Sequence, residues 1–214
     1  MASEGEGHTA TFNPDQLRAE AAVRKAAKAG NAEAQFRLGV MYGNGDGVAL
    51  DHDQARDWFE RAASQGHENA LITLAWMYAN GTGVAVDEDR ARELYLEAAR
   101  RGSAKAQYVV ATMYRFAQYG IGKDMQAAVE WYLKAADQGM PTAQFALGKM
   151  LMEGRGVVRD DAAALQWLSL AHVNGSKRAE DYVKHLIQRM DPDEVRAVRA
   201  RMTGQPGPNG ESTG

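Results

Sequence analysis

The chain has 214 residues, 45% of them hydrophobic, with 25 Lys and Arg against 28 Asp and Glu, a formal charge of −3 and no cysteine. The length predicts one or two domains, and the unbroken repeat period a single elongated one over 13–203, while the charge balance argues against a nucleic-acid backbone binder, which needs clustered Lys and Arg. The lack of cysteine excludes disulfides, thiol catalysis and zinc–thiolate sites in this chain, and no apolar run approaches the roughly 18 residues that would cross a membrane.

Residues 1–12 are small, polar and acidic and are expected to be disordered. They show no basic stretch followed by an apolar one, so no secretory signal is expected. A cytoplasmic location is the default, or a periplasmic one if a signal has been removed. Asn13-Pro14-Asp15-Gln16 starts a helix, with Asn13 as its cap, Pro14 in the first turn and Gln16 reaching back. Ala22, Val23, Ala26, Ala27 and Gly30 align with Trp58, Phe59, Ala62, Ala63 and Gly66 further on. The first helix is thus a stripped version of a later one, suited to an end that has a neighbour on one side only.

From here the chain repeats. Gly30, Gly66, Gly102, Gly139 and Gly175 recur at intervals of 36 or 37 residues, a period that signals a solenoid. Each copy opens with a small residue, then an apolar one, a notch and a bulky one at offsets 0, 4, 5 and 8, which share one helix face. These are Ala34, Leu38, Gly39 and Tyr42; Ala70, Leu74, Ala75 and Tyr78; Ala106, Val110, Ala111 and Tyr114; and Ala143, Leu147, Gly148 and Leu151. The second half repeats as Ala55, Trp58, Phe59, Ala62 and Ala63; Ala91, Leu94, Tyr95, Ala98 and Ala99; and Ala128, Trp131, Tyr132, Ala135 and Ala136. The last copy has Ala164, Trp167, Leu168, Ala171 and His172. Each copy therefore reads as a helical hairpin in which small residues form notches for a neighbour's bulk.

The linkers YGNGDGVALD, YANGTGVAVD and LMEGRGVVRD put glycines where the first helix must end, and a valine (Val48, Val84, Val157) is expected to plug the hairpin's open end. Asp51, Asp87, Asp124 and Asp160 are placed to cap the second helices, and Asp51 with Gln54 makes a capping box. The third linker, YRFAQYGIGKD, is one residue longer and lacks the first glycine of the pair. After the fourth copy, Ala179, Val183 and Ile187 keep the first-helix spacing, but Lys184 replaces the notch residue. Asp191-Pro192-Asp193-Glu194 opens a last helix with Val195, Val198 and Met202 on one stripe, a C-terminal lid. Residues 204–214, rich in Gly and Pro, are expected to form a flexible tail.

The residues offer no start for catalysis. His8, His52, His67, His172 and His185 are scattered without metal spacing, and His172, on an inward repeat position, is expected to be a packing histidine. No G-x-S-x-G is present, the glycine loops join helices rather than a strand and a helix, and Asp46, Asp51 and Asp53 lack the pattern of a calcium loop. No catalytic residue, metal site or cofactor is expected.

The pattern A-x-x-x-L-G-x-x-Y-x-x-G-x-G-V-x-x-D followed by A-x-x-W-x-x-x-A-A-x-x-G, in four copies over residues 32–175, resembles the Sel-like repeat (SLR) family, relatives of the tetratricopeptide repeats. The resemblance implies an all-α fold, an α-α superhelix or solenoid of about four hairpins with a capping helix at each end. Repeats would run at about 31–66, 67–102, 103–139 and 140–175, with a partial repeat and cap at 176–203. It also implies a concave face lined by first helices, where the register aims Phe36, Val40, Ile72 and Trp76, then Tyr108, Thr112, Arg115 and Phe116, then Phe145, Lys149 and Met152.

Trp76, Tyr108 and Phe116 are the expected apolar anchors for a partner peptide or helix, and Arg115, Lys105 and Lys149 would take an acidic group. The function so implied is a non-enzymatic protein–protein scaffold or adaptor, expected as a monomer, in signalling, envelope-related or protein quality-control assembly. No nucleic acid and no membrane span are expected. A hydrolase acting on cell-wall-related compounds and an RNA-binding helical repeat are the alternatives. The first lacks a nucleophile and base, the second a basic groove.

Overall fold

In a computed structural model of the chain, which describes residues 14–203, eleven helices follow one another without an intervening strand. The segments at 1–12 and 204–214 expected to be disordered, the Asn13 cap and the Gln16 side chain expected to reach back lie outside the described residues.

The first unit runs to Asp87 and contains α1 (Pro14–Lys28), α2 (Ala32–Asn44), α3 (His52–Ser64) and α4 (Glu68–Asn80), each packed on the next. The second runs from Glu88 and contains α5 (Glu88–Arg100), α6 (Ala104–Phe116), α7 (Met125–Asp137), α8 (Pro141–Glu153), α9 (Asp161–Val173), α10 (Ala179–Arg189) and α11 (Pro192–Thr203). Here too successive helices pack from α5 to α10, and α11 returns onto α9.

The repeating residues make the core. The alanines at the four first-helix starts and at most second-helix positions are buried, as are Leu38, Leu74, Val110 and Leu147. The notch works as the pattern implies, because a Cβ built on Gly39 would lie 2.6 Å from the Phe59 ring, and one on Gly148 would lie 2.7 Å from Leu168 Cγ. At the ends the pattern thins. Among the described side chains of α1 only Ala27 is fully buried, with Val23 and Ala26 packed partly against the same cluster. In α11, Val195 and Val198 are buried against α9 and α10.

Three of the second helices start where an Asp accepts an orphan N–H: Asp51 from Gln54 (2.9 Å), Asp124 from Ala127 (2.9 Å) and Asp160 from Ala163 (2.8 Å). The linkers close alike, since the backbone N–H of Asp51, Asp87, Asp124 and Asp160 donates to the carbonyl of Tyr42, Tyr78, Tyr114 and Leu151. Val48, Val84 and Val157 are half-buried in them.

The long third linker keeps this geometry at a cost. Ala117 takes the left-handed conformation (φ 55°) that Gly45, Gly81 and Gly154 take elsewhere, and its N–H still bonds the carbonyl of Met113. Tyr119 is the extra residue, also left-handed at φ 51°. Its ring lies 6.3 Å from that of Tyr95, and its carbonyl accepts from Arg92 (2.7 Å), a guanidinium also paired with Asp89.

Three features were not anticipated. The first helices have caps of their own: Asn31 (2.8 Å to the N–H of Ala34), Ser103 (3.3 Å to Ala106) and His67, whose Nδ1 accepts from Ala70 at 3.2 Å. That contact places the His67 proton on Nε2, 3.0 Å from Glu33.

Second, three buried glutamines tie hairpins together. Gln35, Gln107 and Gln144 each donate to a carbonyl at the end of the preceding helix, those of Ala27, Ala99 and Ala136. Each also accepts from the amide that caps its own hairpin, Gln65, Gln138 and Asn174, at 2.7 to 2.9 Å. In the second copy both partners change together: Leu71 is buried in the glutamine's place, and Arg101, in the amide's place, pairs with Glu97 instead.

Third, α10 buries Ala179, Leu186 and Met190, while Val183 and Ile187 are only half-buried. Leu186 holds the register of Met41, Met77, Met113 and Met150, a row of mostly buried methionines that the sequence pattern had left out.

His172 corrects an expectation. It is exposed, not packed, although Ala63, Ala99 and Ala136 are buried at the same register. The next helix, α10, begins only at Ala179 and is two residues shorter than the first helices, so the turn that covers this position elsewhere is missing.

Candidate partner-binding faces

In the first unit the side chains that α2 and α4 turn away from the core divide by burial. Phe36 is half-buried, 5.6 Å from Phe59 and stacked 4.7 Å from the His67 ring, so much of it serves packing. Val40 and Ile72 are likewise half-buried. Trp76 is different: it is 50% exposed.

Beside Trp76 lies a cavity of about 170 Å³, floored by Ala55, Phe59 and Met77 and edged by Val40, His52 and Thr82. Gly43 and Asn44 open onto it, and the lack of a side chain at Gly43 leaves the space beside the indole unfilled. A second hollow of about 370 Å³ between α1 and α2 is bounded by Val23, Phe36, Val40 and Met41, with Glu20, Arg37 and Asp46 at its edge. It exists because the thin α1 offers Val23 where α3, α5 and α7 carry Phe59, Tyr95 and Tyr132.

In the second unit a cavity of about 420 Å³ gathers six of the expected site residues: Tyr108, Thr112, Arg115, Phe116, Phe145 and Lys149. Tyr108 packs 5.5 Å from Tyr132. The Thr112 hydroxyl donates to the carbonyl of Tyr108 (2.9 Å) and so receives the proton of the Tyr132 hydroxyl, 3.2 Å away. Burial, then the neighbouring Tyr132, pushes the Tyr108 phenol up, while Arg115, then Thr112 and Arg178, pull it down. Arg115 lies 4.9 Å over the ring of Phe116, itself 57% exposed. Lys149 lies 3.7 Å from Glu153 and 5.6 Å from the Tyr182 ring.

Two expected residues do not join this cavity. Lys105 is exposed near the start of α6, and Met152 packs against the C-terminal cluster. Five residues that were not expected do join it: Tyr132, Thr142, Ala146, Ser176 and Arg178. Arg178 was legible in principle, since it precedes Ala179 as Lys105 precedes Ala106 and Thr142 precedes Ala143.

Among the described residues no three His, Asp or Glu side chains come together as a metal site, and no helix is long and apolar enough to cross a membrane.

Comparison with known proteins agrees with this architecture. A model of the Sel1 repeat matches residues 32–67, 69–103, 104–140 and 141–171. A Sel1 repeat protein from Oxalobacter formigenes is similar at 34% identity and a TM-score of 0.78, over 84% of this chain and 52% of its own. c5321, a protective antigen present in uropathogenic Escherichia coli strains displaying an SLR fold, is similar at 30% identity and a TM-score of 0.77, over 91% of this chain and 43% of its own. The immunity protein Pa5087 from Pseudomonas aeruginosa, at 21% identity and a TM-score of 0.52 over 79% of this chain and 62% of its own, shares the fold. The chain thus spans about half the length of the first two. No curated protein matches it. With four matched copies covering most of its length, the chain belongs to the Sel1 repeat family, an all-α superhelical repeat fold that typically serves as a protein-interaction scaffold.

Proposed function

We propose that this chain is a non-catalytic adaptor whose first-helix faces hold a peptide or helix of a partner protein, in signalling, envelope-related or quality-control assembly. The observation that carries this reading is Trp76. A half-exposed indole beside an unfilled cavity is the kind of side chain that binding partners bury, because it offers a large apolar area and an N–H. In the same register stand Val40, Thr112 and Lys149, so nothing in the repeat framework requires a tryptophan there. Phe36, Val40 and Ile72 would flank it in the first unit, with Tyr108, Phe116 and Phe145 as further apolar contacts in the second.

Affinity capture from the native cell, with wild type and Trp76→Ala side by side, tests this. Because half of the indole is already in water, the substitution should leave helical content unchanged while partner capture weakens by about tenfold or more. Equal capture by both proteins would refute the reading.

A further inference from the structure

The cavity of the second unit carries more positive charge than its surroundings call for. Arg115 and Arg178 both line it, and neither is paired with a carboxylate among the described residues. Elsewhere the arginines are mostly engaged: Arg56, Arg90, Arg92, Arg101, Arg155, Arg159 and Arg189 all have an acidic partner. The third cation, Lys149, shares its one carboxylate, Glu153, with Arg155. This is not a by-product of a basic protein, since the chain as a whole carries −3.

Nor does the repeat framework require these cations. The register of Arg115 holds Gly43, Ala79 and Met152 in other copies, and that of Arg178 holds Glu33, Asn69, Lys105 and Thr142, a cation in only one of the four. Arg178 makes no side-chain capping bond to α10.

Resting on the partner-binding reading above, we infer that this cavity receives an acidic segment of a partner protein, with two side-chain carboxylates held by Arg115 and Arg178 and an intervening aromatic or aliphatic side chain against Phe116 and Phe145. Two open guanidiniums call for two negative charges, and their placement on different walls, α6 and the start of α10, favours two spaced carboxylates over one compact group. Lys149 adds attraction from a third side. The hydroxyls of Thr142 and Ser176 are within the same cavity for the segment's backbone.

The test uses the full chain and a fluorescein-labelled, amidated decapeptide of alternating glutamate and phenylalanine. Parallel probes carry glutamine in place of glutamate, or a single phosphoserine in place of all the acidic residues. The glutamate probe should bind about tenfold tighter than the glutamine probe, and Arg115→Gln or Arg178→Gln should each remove about tenfold of that affinity. Lys123→Gln, an exposed cation outside the cavity, should change nothing, and circular dichroism should be the same for all variants.

Three results would overturn the inference: no preference for glutamate over glutamine, an equal loss with Lys123→Gln, or Arg-dependent binding of the phosphoserine probe alone. If the glutamine probe binds and loses its affinity in Trp76→Ala while glutamate adds nothing, the acidic-segment inference falls and the partner-face reading stands.

Discussion

The third linker sets two backbone rules against each other, and Ala117→Gly measures the outcome. Ala117 stands at φ 55° and ψ 51°, a conformation that costs an L-residue with a Cβ about 1–2 kcal/mol. The corresponding Gly45, Gly81 and Gly154 avoid that cost. Removing the methyl forfeits little burial, because Ala117 is exposed, and the bonds from the N–H groups of residues 117 and 118 to the carbonyl of Met113 do not involve it. Against the relief stands the greater freedom of glycine in the unfolded chain, about 0.4–1 kcal/mol. The net expectation is a gain of about 0.5–1 kcal/mol, a rise of roughly 1–4 °C in Tm for a chain of this size. The mirror experiment is Gly45→Ala, where the nearest atom to a new Cβ is 3.5 Å away, an ordinary contact, so only the φ of 79° is penalised. It should lose about 1 kcal/mol. Urea unfolding followed by circular dichroism reads both. A lower midpoint for Ala117→Gly, or no loss for Gly45→Ala, would show that left-handed strain does not govern these linkers.

Two further outcomes follow from the core. Gln107→Leu should cost less than about 1 kcal/mol and Gln107→Ala about 2 kcal/mol or more, because leucine refills the volume while the Ala99 carbonyl keeps the N–H of Gly102 and the Gln138 amide keeps the Gly102 carbonyl; equal losses in urea unfolding would refute that volume decides. The Tyr95 phenol is pushed up to about 12, chiefly by burial and then by Tyr119. The unfolded phenol titrates near 10, so between these values the unfolded chain has lost a proton that the folded one keeps. Stability should therefore be intact below about pH 10 and fall by on the order of 2 kcal/mol towards pH 12, a fall that Tyr95→Phe should blunt in unfolding measured against pH.

The hairpins were legible because their causes are local and recur. A small residue at offset 0 and a notch at offset 5 are required wherever two helices approach closely, so Ala34, Gly39 and their counterparts announce themselves by period alone. Gln35 was missed for a different reason. A polar side chain in a buried register looks like an error in an apolar pattern until its two partners are known, and those lie eight residues back, at Ala27, and thirty ahead, at Gln65. His172 failed because its expected burial depended on a neighbour, and α10 starts too late to provide it. Arg178 was missed because its register, shared with Glu33, Asn69, Lys105 and Thr142, is not among the positions that the repeat pattern aims into the groove.

These outcomes separate two kinds of position. Packing is periodic, so a residue that serves it must return in each copy in some conservative form, as Leu38, Leu74, Val110 and Leu147 do. A partner's surface has no such period, so a residue that serves binding is free to differ from copy to copy, as Val40, Trp76, Thr112 and Lys149 do in one register and Gly43, Ala79, Arg115 and Met152 do in another. Variation alone would be uninformative on an exposed surface. It becomes an argument where the variable register opens onto a cavity, as it does beside Trp76 in one unit and between Arg115, Lys149 and Arg178 in the other. The first of these offers apolar area and the second uncompensated charge, so the two units are equipped to grip chemically different parts of what they bind.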